Sequence, residues 1–297
     1  MNYLNILRLN CTAILKKTLF ISSGIFTLLS IFLSFVSWND LGVNQIYSKF
    51  FIFIGIIIIS LLLAILDCCF FIDKNVVWNN GTGKIVVRYG DIIKIAFKKD
   101  NDKKIIVIPV NTCFDTIVDS NISSLERPIV SPNTIHGKWI NHIINSGISQ
   151  SEIDEKIKKY IRENNIIPSK ELSIEQKARG NKLCYKRGTV VPFSNEENIT
   201  FFLLALSEFD SNNNAQCNKE GFIDCIKSLI SFYDKHGQGF KMYLPLMGTG
   251  LSRVELSHIE ALNKITTLFD LYNDQIHGEI NIIAYDKDKD KVSILDV

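Results

Sequence analysis

Two long apolar runs near the start of the sequence constrain this chain more than any other feature. The first covers 18–38 and the second 50–71, and neither contains a charged residue before Asp67. Each run has about 20 residues, the length that a helix needs to cross a hydrocarbon layer about 30 Å thick. A core helix of a soluble protein would carry a polar stripe, and neither run has one. The sequence therefore predicts a hairpin of two transmembrane helices.

The charges around these runs predict the orientation of the hairpin. Basic residues flank the runs on their outer sides, whereas the connection 39–48 contains Asp40 and no basic residue. The positive-inside rule then places both termini in the cytoplasm and the connection outside. A signal peptide is the competing interpretation of the first run, but the apolar stretch is too long and 35–38 offers no small-residue cleavage site. The flanking basic residues are Arg8, Lys16, Lys17, Lys74, Lys84 and Arg88.

The composition of the remaining chain excludes several classes of function. The 297 residues carry a formal net charge of +2, so no large field of one sign indicates nucleic acid as a partner. The seven cysteines form no CxxC pair, and no histidine spacing completes a zinc site. An odd, unpatterned cysteine count favours reduced thiols over a disulfide framework. Beyond residue 75 the chain is long enough for one domain with its own core, so we expect a hairpin region 1–75 and a soluble domain 76–297.

Short β-branched runs alternate with amphipathic segments in this second region. Predicted strands lie at 84–88, 92–97, 105–110, 190–193, 199–206, 240–247, 280–285 and 292–295, and the pattern of 199–206 is also compatible with a helix. Predicted helices lie at 151–164, 221–236 and 255–272, the last with Ile259, Leu262, Ile265 and Phe269 on one face. The Ser-, Asn- and Pro-rich segment 120–147 is typical of a long loop with at most a short helix. This alternation predicts an α/β domain whose sheet is covered on both faces.

A glycine-rich turn connects the predicted strand 240–247 to the predicted helix 255–272. It begins Gly248-Thr249-Gly250 and continues through Leu251 to Arg253. Backbone N–H groups in such a turn, with the positive end of a helix dipole behind them, are suited to bind phosphate. Glycines in such turns also have a purely conformational role, so the turn alone leaves phosphate binding open.

Two polar residues accompany the early strands. Asp91 lies in a Gly-Asp-Ile turn before the predicted strand 92–97, and Asn111 leaves the end of the strand 105–110. Polar residues beyond the carboxyl ends of strands lie where ligands bind in open α/β sheets. Taken singly, Asp91 also fits a plain turn residue, and Asn111 fits a cap at the end of a strand.

Taken in order, these segments resemble the macro domain, the α/β/α module that binds ADP-ribose. The resemblance runs from about Lys84 to the C-terminus, and it implies a hairpin followed by a three-layer, macro-like α/β/α domain. It implies that Asp91 contacts the adenine, that Asn111 contacts the distal ribose, and that the glycine turn holds the diphosphate. The segments 111–115 and 131–137 depart from the usual macro-domain pattern. The candidate ligand contacts are Asp91, Ile92, Asn111, His136, Gly248, Thr249, Gly250, Leu251 and Arg253, with no catalytic residue and no metal ligand among them.

The whole chain is similar to the membrane-plus-macro effectors of the Thoeris antiphage system. Besides the two apolar runs, the similarity rests on the segments VNTCFDT, IHG and PLMGTGLSR. It implies a bacterial inner-membrane protein and a TIR-domain partner that converts NAD into an ADP-ribose-derived signal, similar to ADP-ribose joined to histidine. The effector would bind this signal without another cofactor, assemble into a homo-oligomer and disrupt the membrane, which kills the infected cell.

Three classes of function stay open at this point. The first is the ligand-sensing membrane effector, and the second is a membrane-anchored ADP-ribosyl hydrolase. The hydrolase needs an activated water near the proximal ribose, and no His/Asp or paired-carboxylate cluster in the sequence supplies an obvious base near the two loops. The third is a scaffold whose hairpin only localises a binding module. For His136, a ligand contact and an ordinary polar loop residue are equally compatible with the sequence.

Overall fold

The chain divides into two compact units. The computed structural model describes residues 2–99, 101–119, 128–196, 198–209, 215–249, 254, 256–295 and 297. One unit, here called the helical unit, comprises Met1–Asn75 and Lys287–Val297, and the other, the sheet unit, comprises Val76–Asp286. The sequence placed residues 287–297 with the soluble domain, whereas the structure groups them with the N-terminal helices.

Two long helices form the body of the helical unit. The short helix α1 (Tyr3–Leu9) precedes α2 (Cys11–Leu33), and α3 (Ile46–Leu66) continues into a π-helical turn over Asp67–Phe71. α2 and the segment Ile46–Phe71 are both long and apolar enough to cross a membrane, and little of either is buried. The two helices run antiparallel, because the rings of Phe26 and Phe53 stack 5.0 Å apart and Lys17 pairs with Asp67 at the other end. The predicted two-helix hairpin is confirmed.

The C-terminal tail packs against the base of this hairpin. The Ser293 hydroxyl donates a hydrogen bond to Oδ1 of Asn10 at 2.7 Å, and both side chains are buried. The Asn75 amide donates to the Ile294 carbonyl at 2.8 Å. Leu295 packs on a small cluster that includes Ile6, Ile14, Ala64, Cys68 and Cys69. The predicted strand 292–295 is therefore wrong, since its apolar residues are buried in an irregular segment of the helical unit and not in a sheet.

The sheet unit is built around five parallel strands. Strand order across the main sheet is β1-β2-β10-β9-β3-β7-β6, with β8 paired to the end of β7. The strands β2, β10, β9, β3 and β7 run parallel to one another, and β6 and β8 are antiparallel to β7. The strands are β1 (Lys74–Asn79), β2 (Lys84–Gly90), β3 (Lys104–Asn111), β4 (Lys170–Glu171), β5 (Leu183–Cys184), β6 (Val190–Glu196), β7 (Ile199–Phe209), β8 (Ala215–Gln216), β9 (Lys241–Pro245) and β10 (Glu279–Tyr285). The helices are α4 (Ile92–Ala96), α5 (Ile135–Asn145), α6 (Gln150–Glu163), α7 (Lys219–His236) and α8 (His258–Leu271).

Helices cover both faces of this sheet. On one face, α5 and α6 pack on alternate residues of the central strands, with Trp139 of α5 edge-on to Phe193 and Phe201 at ring distances of 5.3 and 5.7 Å. On the other face, Phe202 meets Phe232 of α7 at 5.0 Å. Because adjacent residues of a strand point to opposite faces, Phe201 packs against the helices on one face and Phe202 against α7 on the other. The predicted three-layer α/β/α fold is confirmed.

Two segments of the sheet unit also differ from the prediction. Residues 92–97 form helix α4 and a capping residue in place of a strand, because the Asp91 carboxylate caps the helix and Ile92, Ile93 and Ala96 are buried at helical spacing. The segment predicted as a loop contains the 11-residue helix α5, which buries Trp139 and its neighbours. In α8 the buried face passes through Leu262, Ile265 and Phe269 as predicted, whereas Ile259 is exposed.

Candidate functional site

The carboxyl ends of four parallel strands place the predicted ligand residues at one edge of the sheet. Across β2, β10, β9 and β3 the register pairs Gly90 with Tyr285, Pro245 with Ile283, and Tyr243 with Ile106. Asp91 directly follows β2, Gly248 lies a few residues beyond β9, and Asn111 is the last residue of β3, so all three lie at the carboxyl edge of the parallel strands. Three strand spacings of about 4.8 Å separate Asp91 from Asn111, so about 14 Å lies between them. This edge suits an elongated ligand.

Asp91 has a defined structural role at this edge. Its Oδ1 accepts hydrogen bonds from the backbone N–H groups of Ile93 at 2.9 Å and Lys94 at 3.4 Å, which caps α4. The side chain is half-buried, and its second oxygen accepts no hydrogen bond from the part of the chain that the structure describes. Ile92 is buried in the core between the sheet and α5–α6. One carboxylate oxygen of Asp91 is thus committed to the fold, and the other is the candidate contact for a ligand.

Asn111 organises the loop that follows β3. Its Oδ1 accepts hydrogen bonds from the N–H groups of Cys113 at 3.1 Å and Asp115 at 3.3 Å, and the side chain is only 5% exposed. The loop is held from both sides, since the Thr112 N–H donates to Ser207 and the Thr112 carbonyl accepts from Tyr185. All residues from 111 to 116 are buried. The loop is therefore closely packed and fixed by hydrogen bonds.

A buried ion pair fastens this loop to a segment more than 60 residues further along the chain. Asp115 and Lys177 are fully buried and paired, Lys177 also donates to the Asn181 carbonyl at 2.8 Å, and the Asn181 N–H donates to Asp115 at 2.7 Å. Burial raises the pKa of the Asp115 carboxyl and lowers the pKa of the Lys177 ammonium, and their pairing opposes both shifts. Cys113 and Cys184 also form a disulfide, so the prediction of reduced thiols is wrong for this pair. No local pattern in the sequence predicts this network, because its members come together only in the folded chain.

The glycine turn after β9 is only partly within the described residues. Gly248 has φ +89°, a conformation that side chains rarely adopt, and an added Cβ would lie 3.2 Å from the Phe222 ring. Thr249 is half-buried beside it, whereas Gly250, Leu251 and Arg253 lie outside the described residues. Helix α8 begins at His258, not at Glu255, and its first turn is closed by a capping box between Ser257 and Glu260. The sequence predicted a helix N-terminus directly behind the turn. In the structure the N-terminus of α8 is capped and lies further along the chain.

His136 lies in the first turn of α5 and not in a loop. Its side chain is 7% exposed, and its ring stacks on Trp139 with centroids 6.3 Å apart. Burial lowers the pKa of His136 to about 3, so the ring is neutral at physiological pH. The adjacent Gly137 has a packing role, because an added Cβ would lie 2.1 Å from the Ser131 carbonyl oxygen. The IHG segment thus has a sufficient structural explanation.

The structure brings together three of the predicted contacts, Asp91, Asn111 and the Gly248 turn, and gives His136 a core role. Among the described residues, no group of three His, Cys, Asp or Glu side chains could hold a metal ion. The arrangement offers hydrogen-bonding groups and a glycine turn along an edge of about 14 Å.

Comparisons with known proteins agree with this architecture. The sequence profile described as "Thoeris protein ThsA, Macro domain" matches residues 85–285. Thoeris protein ThsA of Bacillus amyloliquefaciens (strain Y2) is 23% identical over 265 residues, which cover 88% of this chain and 81% of that protein. An Oceanobacillus iheyensis macrodomain variant with ADPR has a TM-score of 0.42 at 10% identity, covering 75% of this chain and 95% of its own. The macrodomain of the same organism with ADP has a TM-score of 0.41 at 11% identity, with the same coverage. TM-scores of this size are too low for any inference about a shared site.

Proposed function

The chain belongs to the Thoeris ThsA macro-domain family, and from this premise we propose that it is a membrane-anchored defence effector that binds an ADP-ribose derivative. The signal is supplied by a TIR-domain partner, and ADP-ribose joined to histidine is the form we expect. Binding leads to assembly of several copies and to disruption of the bacterial inner membrane.

The observation that carries this proposal is the sheet edge formed by Asp91, Gly248 and Asn111. The free oxygen of Asp91 suits the exocyclic amino group of adenine, which donates hydrogen bonds. At the other end, we expect Asn111 and the loop it holds to contact the distal ribose. The Gly248 turn lies between them and lets backbone N–H groups approach a diphosphate closely.

The packing of the loop after Asn111 favours a receptor over a hydrolase. Hydrolysis needs a carboxylate or imidazole that can reach a water molecule next to the scissile bond. Asp115 is the carboxylate nearest to Asn111 in the sequence, and it is fully buried and occupied by Lys177 and Asn181. His136 is likewise buried. Neither group is placed to activate water, so we expect binding without turnover.

In this proposal the helical unit disrupts the membrane. Two helices are too few to enclose an aqueous path, because every polar surface in the bilayer must face protein or water. Several copies must therefore associate before the membrane leaks. A ligand shifts this equilibrium only as far as it prefers the assembled state.

Calorimetry on the full-length protein in detergent tests the binding site. We expect the wild type to bind ADP-ribose saturably. In Gly248→Ala the affinity should fall at least about tenfold, because the added Cβ strains the turn and contacts Phe222. Gly147→Ala is the matched control, since Gly147 also has a positive φ (+101°) but its Cβ would meet open space. Equal binding by both variants would show that the Gly248 turn is not the diphosphate site.

Two further assays separate the classes of function. Release of free ADP-ribose from an ADP-ribosylated protein would favour the hydrolase. For the effector, we expect dye to leak from proteoliposomes only after addition of the products that a TIR-domain protein makes from NAD, and size-exclusion chromatography to show larger particles under the same conditions. Unchanged elution and intact liposomes, with ligand bound, would leave the scaffold as the better explanation.

A further inference from the structure

A cavity separate from the edge residues described above lies between α6 and the segment around β5. Its volume is about 310 Å³, within the lower range of small-molecule pockets. Phe114 of the loop after β3 forms one wall, Ile157 and Ile161 of α6 form another, and Tyr185 forms a third. These four side chains give the cavity an apolar surface that suits an aromatic or aliphatic group.

All the ionisable side chains that line this cavity apart from Tyr185 are cationic. They are Lys158 and Arg162 of α6 and Lys182 before β5. Arg162 reaches Glu155 only at 3.8 Å, and both side chains are about two-thirds exposed, so this ion pair is weak. The Lys182 ammonium is buried and has no hydrogen-bond partner among the residues that the structure describes. Since a buried ammonium without an acceptor is unfavourable, this position favours an anion beside it.

The positive charge of Lys182 also destabilises the charged form of a neighbouring lysine, Lys177. Burial lowers the pKa of nearby Lys177, the ion pair with Asp115 opposes the shift, and the positive charge of Lys182 lowers this pKa further. Lys182 therefore repels the cation that fastens the loop after Asn111. Residues that disfavour the local fold are typical of binding sites, where a ligand supplies the missing partner.

The walls of the cavity are fixed before any ligand arrives. The Asn181 amide donates to the Phe114 carbonyl at 3.0 Å, and the Tyr185 N–H donates to the Thr112 carbonyl at 2.9 Å. The disulfide between Cys113 and Cys184 joins the same two segments. A preformed pocket loses little conformational freedom on binding.

We propose that this cavity binds a small amphipathic anion, with its apolar body against Phe114, Ile157 and Ile161 and its carboxylate or phosphate group between Lys182 and Lys158. This ligand is additional to the ADP-ribose derivative. Because Phe114 follows Asn111 by three residues, the occupant contacts the same loop that we expect to hold the distal ribose.

Calorimetry on the full-length protein in phosphatidylcholine nanodiscs tests the proposal with phenyl phosphate, benzoate, inorganic phosphate and benzyl alcohol. We expect phenyl phosphate or benzoate to bind with a stoichiometry of one. Inorganic phosphate and benzyl alcohol should bind at least about tenfold more weakly, because each lacks one half of the recognition. Absence of saturable binding by both amphipathic anions would overturn the proposal.

Two lysine variants test whether the anion binds in this cavity. Lys182→Met should lower the affinity about tenfold or more, since it removes the cation and keeps the side-chain length. It should also raise the melting temperature of the unliganded protein, because the repulsion of Lys177 disappears. Lys159→Met is the control, because Lys159 follows Lys158 on α6 but is not among the residues that line the cavity, and its side chain is 67% exposed. Equal affinity in Lys182→Met and the wild type would refute the assignment.

A final arm separates this cavity from the ADP-ribose site. We expect the affinity for phenyl phosphate to be the same within about twofold in saturating ADP-ribose and in its absence. Displacement of phenyl phosphate by ADP-ribose would refute the assignment to a separate cavity, because both ligands would then bind at the carboxyl edge of the sheet. Failure of the protein to bind ADP-ribose would contradict the proposed function and leave the cavity proposal standing.

Discussion

Acidification should destabilise the sheet unit through one residue, His136. The imidazole is buried at the start of α5 and stacked on Trp139, and burial lowers its pKa to about 3. In the unfolded chain the same group has a pKa of about 6.5. Between these two values the unfolded chain binds a proton that the folded chain excludes.

The sign and size of the effect follow from this difference. The unfolded state holds more protons below pH about 6.5, so the free energy of unfolding falls as the pH falls from 6.5 towards 3 and is unaffected by this group above 6.5. At pH 5 the loss is about 2 kcal/mol, obtained from pKa values of about 6.5 and about 3. This is a large part of the stability of an ordinary domain.

Trp139 provides the probe for this prediction. With Trp38 and Trp78 replaced by Phe, Trp139 is the only tryptophan of the three in the chain, and its fluorescence reports urea unfolding next to His136. Unfolding at pH 7 and pH 5 should be compared between this background and the same background with His136→Gln. The variant should lack about 2 kcal/mol of the pH-dependent loss. An identical pH dependence in both proteins would refute the buried, neutral state of His136.

Three other predictions concern the loop, the tail and the topology. Asp115→Asn should lower stability by about 3–5 kcal/mol, because it leaves the buried Lys177 ammonium without its counter-charge; a melting curve unchanged by the substitution would contradict the ion pair. Ser293→Ala should cost about 1–3 kcal/mol in the helical unit, since Oδ1 of buried Asn10 loses its donor, and hydrogen exchange at the start of α2 should rise. Protease added to intact spheroplasts should leave the sheet unit undigested, and digestion of that unit would reverse the proposed topology.

Local patterns were sufficient to predict the apolar helices, α6, α7 and the strands of the parallel sheet. They failed where a short segment has two compatible patterns: residues 92–97 are apolar and β-branched, and only the cap by Asp91 selects a helix. For α5 the sequence predicted at most a short helix within a long loop, because Pro and Ser precede it and Gly137 lies in its first turn, where the close approach of Ser131 requires glycine.

The candidate site was predictable in its position but not in its packing. Asp91 and Gly248 follow strands and Asn111 ends one, and the carboxyl ends of parallel strands lie at one edge of the sheet. The pairing of Asp115 with Lys177 joins residues 62 positions apart, and no local pattern records it. The same holds for the burial of His136, which depends on how α5 packs on the sheet.

The return of residues 287–297 to the N-terminal helices makes the sheet unit an insertion within the helical unit. The chain leaves the helical unit near residue 75 and re-enters it after residue 286, directly beyond β10. β10 is hydrogen-bonded between β2 and β9, two strands whose ends carry Asp91 and the Gly248 turn. A domain with one linker can change shape without affecting its anchor, whereas an inserted domain shares two covalent junctions with it. The sheet unit is therefore joined covalently to the helical unit at both of its ends, and a fusion partner at the C-terminus would be attached to the helical unit and not to the sheet unit.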